Sequence, residues 1–243
     1  MAQSYFIWNG IKSQNMNVIM RGPAAIIRPE ERVQHVEIPG RSGDVTETEG
    51  ENIYNSYIQT VSISVRAGAR ARDIYRWLRG EGYVTFSGEP DRRQKARVIG
   101  AITLNRISRN LDNWAGEVQF YCQPLKENLT EAKTTITSSG SKVKNNGDVI
   151  SKPLWKLTTN DTSATITAAG TGAPADNAIT VTGLTSGAVI WIDSETMEVL
   201  NADKTKLLTV NSTGNFPVLV PGINTITGSG WSAIEIVKRE RFL

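Results

Sequence analysis

The run from Tyr57 to Leu125 changes its hydrophobic period part-way, and that change constrains the fold most. Tyr57-Ile-Gln-Thr-Val-Ser-Ile-Ser-Val65 alternates. Tyr57, Val61, Ile63 and Val65 share one face, and Thr60, Ser62, Ser64 and Arg66 share the other, so a strand covered on one side only is expected. The period then becomes helical. In Ala71–Arg79, residues Ala71, Ile74, Tyr75 and Leu78 stand at i, i+3, i+4 and i+7. Asp73 in the first turn and Arg79 in the last suit the helix dipole, and Gly80 suits a helix end. Strands are expected next at Tyr83–Ser87, Val98–Leu104 and Trp114–Tyr121, with a turn at Gly88–Asp91. A single short helix inside a series of strands makes this half mainly β, a sandwich or barrel-like domain.

The residues before this run continue the pattern. Ser4–Trp8 is a short apolar strand, Asn9-Gly10 is a strong hairpin signal, and Asn17–Met20 can pair back. Ala25–Ile27 and Val33–Ile38 are two further candidate strands. Pro39-Gly-Arg-Ser-Gly43 lacks the lysine and the following helix of a phosphate-binding loop, so Gly40 and Gly43 read as tight-turn glycines. Asp44–Asn52, with Glu47, Glu49 and Glu51, reads as a polar, acidic loop or extended arm.

Composition changes near residue 128. Residues 1–128 hold 14 Arg, 3 Lys and 5 Thr, whereas residues 129–243 hold 2 Arg, 8 Lys and 19 Thr. Two domains, 1–128 and 129–243, are therefore expected. In the second half no helix is visible. Short strands are expected at Thr134–Ser138, Leu154–Thr159, Ala164–Ala168, Ala178–Thr182, Ala188–Asp193, Thr196–Leu200, Lys206–Val210, Pro217–Val220, Asn224–Thr227 and Ala233–Val237. Gly- and Asn-rich turns, one of them at Gly222, separate them at the spacing of a β-sandwich.

Several function classes find little support. The single cysteine, Cys122, permits no internal disulfide, and one histidine, His35, leaves a thiol nucleophile or a metal site short of partners. No cofactor motif is present: Ala168–Pro174 is Gly-rich but no helix follows it. No apolar run reaches membrane length, and the N-terminus lacks the form of a signal peptide, so synthesis in the cytoplasm is expected. A net charge of +3 does not call for a nucleic-acid partner. The arginines on and near the helix, Arg72, Arg76 and Arg79 among them, read as a solvated face or one that meets another subunit's acids. The acids Asp193, Glu195, Glu198 and Asp203 read as surface groups rather than as a glycosidase pair.

The order of these elements resembles the distal tail protein (Dit) family of long, flexible-tailed bacteriophages. The resemblance rests on Ile38-Pro-Gly-Arg-Ser-Gly43, the short amphipathic helix, Phe86-Ser-Gly-Glu-Pro90 and Phe120-Tyr-Cys-Gln-Pro-Leu125. In the second half it rests on Ile190-Trp-Ile-Asp-Ser194, Phe216–Ile226 and Arg239-Glu-Arg-Phe-Leu243. It implies an N-terminal ring-forming domain and a C-terminal galectin-like β-sandwich. It further implies a homohexameric ring at the tail tip of the virion that joins the tail-tube protein to a tail-associated tip protein. Phage DNA would pass through its lumen without sequence-specific contact, and the C-terminal domain would hold receptor-binding or baseplate proteins. Such a protein is a structural hub and no enzyme. Within that reading Glu47, Glu49 and Glu51 of one subunit would face Arg72, Arg76 and Arg79 of the next. The other reading is a carbohydrate-binding tail adhesin, which would need exposed aromatics; Trp155, Trp191 and Trp231 are its candidates.

Overall fold

The structure, a computed structural model, describes residues 3–48, 50, 52–107, 112–131, 133–205 and 210–243. The chain separates into two compact units, Met1–Leu129 with Leu243, and Thr130–Phe242. Strands dominate both.

In the first unit the strands are β1 (Phe6–Trp8), β2 (Ile11–Lys12), β3 (Val18–Met20), β4 (Val33–Val36), β5 (Val45–Thr48) and β6 (Tyr57–Val65). The helix α1 (Ala71–Trp77) follows, and then β7 (Glu81–Phe86), β8 (Arg92–Ile99), β9 (Leu104–Arg106) and β10 (Trp114–Asn128). The main sheet runs β2-β1-β7-β8-β10-β6-β3, with β9 also on β10. Its two outermost strands, β2 and β3, are joined through the four-residue 3-10 turn Ser13–Met16, so the sheet curls back toward its own start. Asn9 and Gly10 both take positive φ, 50° and 80°, in the expected hairpin.

The inside of the curl is apolar. Phe6, Trp8, Val18, Val61, Ile63, Val118, Phe120 and Cys122 are all buried there. The expected alternation of β6 is present: Val61, Ile63 and Val65 are buried, and Thr60 and Ser62 exposed. The helix lays Ile74 and Leu78 onto this core, with Leu78 at the helix cap. Tyr75, expected on the same face, is instead 42% exposed. Trp77, three residues after Ile74, takes the inward place: its ring stacks on Phe6 at 5.5 Å and 7°. Each indole also donates to the backbone of the other tryptophan. Trp8 Nε1–H donates to the Trp77 carbonyl (3.1 Å) and Trp77 Nε1–H to the Trp8 carbonyl (3.3 Å).

Three expected strands shift. Ala25–Ile27 forms no strand. β8 begins at Arg92 rather than Val98, because Gln94 and Ala96 face inward while Lys95 and Arg97 point to solvent. β10 continues to Asn128 through a register shift between Cys122 and Lys126. There the buried Gln94 side chain donates to the Gln123 carbonyl and to Tyr57 Oη, so the irregularity is satisfied from within.

In the second unit the strands are β11 (Lys133–Ile136), β12 (Ser141–Asn145), β13 (Leu154–Thr159), β14 (Ser163–Gly170), β15 (Ala178–Thr182), β16 (Val189–Asp193), β17 (Glu198–Leu200), β18 (Asn211–Gly214), β19 (Gly222–Ser229) and β20 (Trp231–Val237). They form two five-stranded sheets, β11-β20-β13-β16-β17 and β12-β19-β14-β15-β18. All the pairings are antiparallel. Trp155, Leu157, Ile190, Ile192, Ile234 and Ile236 of the first sheet meet Ile166, Ile179, Val181 and Ile226 of the second in one core. This is the expected sandwich.

The expectation for Pro217–Val220 fails. This segment forms no strand apart from an isolated bridge between Leu219 and Ser151. Pro217 has no N–H to give a ladder. Buried asparagines hold the segment instead. Asn177 accepts from the Val218 N–H (2.8 Å) and donates to its carbonyl (2.8 Å). Asn145 donates to the Leu219 carbonyl, and Asn224 accepts from the Val220 N–H. The strand expected at Lys206–Val210 lies mainly outside the described residues. β12 and β18 were not foreseen.

Candidate functional site

The first unit carries a surface suited to association. Of the twelve large apolar side chains left exposed among the described residues, ten belong to this unit; Met197 and Ile223 belong to the other. Ile26 is 78% exposed, and Ile38 and Ile53 are also open. In sequence these three lie within or on either side of an arm, the β4–β5 hairpin, which pairs with no other strand among the described residues. A two-stranded hairpin alone is marginal in water.

Glu47 sits on β5, exposed, opposite Gln34. Glu49 and Glu51 lie outside the described residues. Gly40 and Gly43, with φ of 84° and 82°, form the turn region between β4 and β5, and Gly222, with φ of 92°, opens β19. Arg72, Arg76 and Arg79 are all exposed. None of the three is in an ion pair with a described residue, and the structure does not bring Glu47 to them within the chain. His35, also exposed, lies 3.3 Å from the Thr46 hydroxyl.

The outer face of the main sheet is polar and open. A groove of about 590 Å³ lies there, lined by Arg21, Ser62, Asn105, Glu117 and Gln119. At its edge the backbone of Thr103 passes close over Gly116, where a Cβ would stand 2.4 Å from the Thr103 carbonyl oxygen. Arg21 donates to Ser64 Oγ and Ser62 to Glu117, so the groove's own groups are partly engaged with each other.

The titratable groups with shifted pKa serve structure. Burial pushes the Cys122 thiol and the Tyr57 phenol up to about 12 each. A thiol held protonated is a poor nucleophile. In the second unit burial acts to raise the Asp193 carboxyl, but the Arg239 guanidinium, bonded to it at 2.6 and 2.9 Å, outweighs that and holds it below its ordinary value. Among the described residues no cluster of three metal-ligating side chains exists, and no helix is long and apolar enough to cross a membrane.

The three tryptophans considered for sugar binding are buried. Trp155 and Trp231 belong to the sandwich core. Trp191 packs in a small cluster with Leu154, Val237 and Leu200, with the Lys204 ammonium 3.7 Å above its ring. None offers the open platform that the adhesin reading requires.

The fold is similar to a solved one. The crystal structure of the SPP1 Dit (gp 19.1) protein, described as a paradigm of hub adsorption apparatus in Gram-positive infecting phages, matches with a TM-score of 0.77. Identity is 19%, and the match covers 100% of each chain. No protein-family model matches the chain, and no curated protein matches it by sequence. The fold implied by the sequence resemblance is thus the fold found.

Proposed function

We propose that this chain is a tail-hub protein of the distal tail type, from a long-tailed bacteriophage or prophage. The observation that carries this reading is a likeness of fold along the whole of both chains to a protein described as a hub of an adsorption apparatus. In this reading the protein is structural. Six copies close into a ring at the tail tip, between the tail-tube protein and a tail-associated protein, and the lumen continues the DNA channel.

The first unit makes the ring and the second, a galectin-like sandwich, projects to hold receptor-binding or baseplate components. The uneven placement of exposed apolar side chains supports that division, because buried apolar area is what holds subunits together. A closed ring uses two different patches on each subunit. The acidic arm with Glu47 and the helix face with Arg72, Arg76 and Arg79 form no ion pair with a described residue and are opposite in charge. They are assigned to the two sides of one contact.

Electron micrographs and sedimentation of the purified protein, alone and with tail-tube protein, test the reading. Six-fold rings are the expected result. A monomer in both conditions would overturn it.

A further inference from the structure

The two sheets of the second unit come together at the ends of β12 and β20 through a cluster of unusual composition. Lys238 and Glu240 are both buried, with side chains 9% and 3% exposed. Their ion pair is 2.8 Å long. The same Glu240 oxygen, Oε1, also accepts from the Asn146 side-chain Nδ2 (3.1 Å) and from the Asn146 backbone N–H (2.9 Å). Lys238 Nζ donates as well to the Lys144 carbonyl (2.9 Å), which fixes the amine beside the strand that ends at Asn145. A primary amine and a carboxamide are therefore held on one carboxylate oxygen. The Lys126–Glu89 pair, in which only the lysine is buried, has no carboxamide on its carboxylate among the described residues.

From this geometry we propose that Lys238, Glu240 and Asn146 are a self-acting cross-linking site that forms an amide bond between the two sheets. The attack uses the amine form of Lys238, reached when Nζ passes a proton to Glu240 across their 2.8 Å contact. The Asn146 amide, turned over about Cβ–Cγ, presents Oδ1 to the Glu240 acid. The Lys238 amine attacks Asn146 Cγ, and the acid's hydrogen bond stabilises the oxyanion that develops. Glu240 then carries the proton from the attacking nitrogen to Nδ2. The Nζ–Cγ bond forms, the Cγ–Nδ2 bond breaks, and ammonia leaves; no oxidant or further reactant is needed. Asn146 lies at the exposed end of the cluster, so the ammonia departs directly into water. Holding the groups together in the folded state replaces a bimolecular encounter.

The test is the intact mass of the full-length protein after prolonged incubation at neutral pH, followed by peptide mapping. The expected mass is lower than the sequence mass by one ammonia, with a branched peptide joining Lys238 to Asn146. Glu240→Gln and Lys238→Arg should each stay at full mass. Asn146 precedes Gly147, and an Asn-Gly pair can also lose ammonia by closing on its own backbone. A loss that persists in Lys238→Arg, or that comes without the branched peptide, would assign it to that ring closure and overturn the proposal. So would a wild-type protein that remains at full mass.

Discussion

The two units solve the same problem, covering a β core, in different ways. The second closes two sheets over each other and holds several buried polar groups internally, through Asn145, Asn177 and Asn224 and the Asp193–Arg239 and Lys238–Glu240 pairs, although the buried Ser151 hydroxyl has no partner among the described residues. Its edge strands β11 and β12 carry Lys133, Lys142 and Lys144, which discourage further strand pairing. The first unit curls one sheet around its core and leaves a hairpin and, among the described residues, most of the exposed large apolar groups in solvent. Packing motivates the proposed division of labour: the second unit covers its core with two sheets, and the first leaves the apolar surface that the proposed ring would cover.

The largest effect that could break this contrast is separation. Residues 130–242 produced alone should fold, with dispersed amide resonances and a β-type circular dichroism spectrum. Residues 1–129 alone should fold but self-associate as concentration rises, by sedimentation. A disordered second unit, or a first unit that stays monomeric throughout, would contradict it.

Core truncations sharpen the contrast next. Leu78→Ala should cost about 2–5 kcal/mol, as for buried leucines generally. Leu157→Ala should cost a similar amount, also about 2–5 kcal/mol. The two losses should appear in different unfolding transitions if the units fold separately. A change below about 0.5 kcal/mol for Leu78→Ala, the surface norm, would place the helix face elsewhere.

How much of this was legible in the sequence depends on the range of the interaction. Period-two runs with one wet face were readable, and Leu154–Thr159 and Ala178–Thr182 fall where expected. Ile74 and Leu78 were readable from helical spacing, but Tyr75 and Trp77 were exchanged. Spacing alone could not reveal that Trp77 pairs with Trp8, 69 residues away. The start of β8 was hidden because Arg93, Lys95 and Arg97 on its wet side read as part of the charged, solvated surface. Pro217–Val220 looked like a strand because its apolar residues are buried, yet side-chain amides from distant strands replace its ladder. Of the site, the arm and the arginine face were visible as charge patterns. Their lack of internal partners was not, and neither was the meeting of Asn146 with Glu240 across 94 positions.

The units should also part company in pH. Arg239 holds the folded Asp193 below its ordinary 3.8. That contribution is full above the ordinary value and is lost as pH falls through the lower folded one, so it weakens the second unit in acid. Asp193→Asn should cost roughly 1–3 kcal/mol by leaving Arg239 with poorer partners, and should flatten the acid limb of that unit's stability curve. The first unit should respond at the other end. Cys122 and Tyr57 are raised from 9.0 and 10.0 to about 12. Stability from keeping them neutral is full below those ordinary values and is lost as pH rises toward the folded ones. Denaturant titrations followed separately for each unit check both limbs; a shared pH profile would count against the assignment.

The smallest expected effect concerns the proposed ring contact. Glu47 and the arginines at 72, 76 and 79 are exposed, and an exposed ion pair contributes only about 0.2–1 kcal/mol. Apolar side chains such as Ile26 should therefore hold the ring, with charge setting its register. Glu47→Lys should weaken assembly a few-fold, and more at low salt than at high salt, because screening removes the repulsion. Arg76→Glu in the same chain should restore part of the loss. Ile26→Asp should weaken assembly more than either, since it places a charge in a surface that has to be dehydrated. Sedimentation of these three variants beside the wild type, with tail-tube protein present as a template, ranks them. Equal assembly by Glu47→Lys and the double variant would break the charge pairing. Unchanged assembly by Ile26→Asp would move the contact away from the arm and leave the apolar excess of the first unit to be covered by another partner.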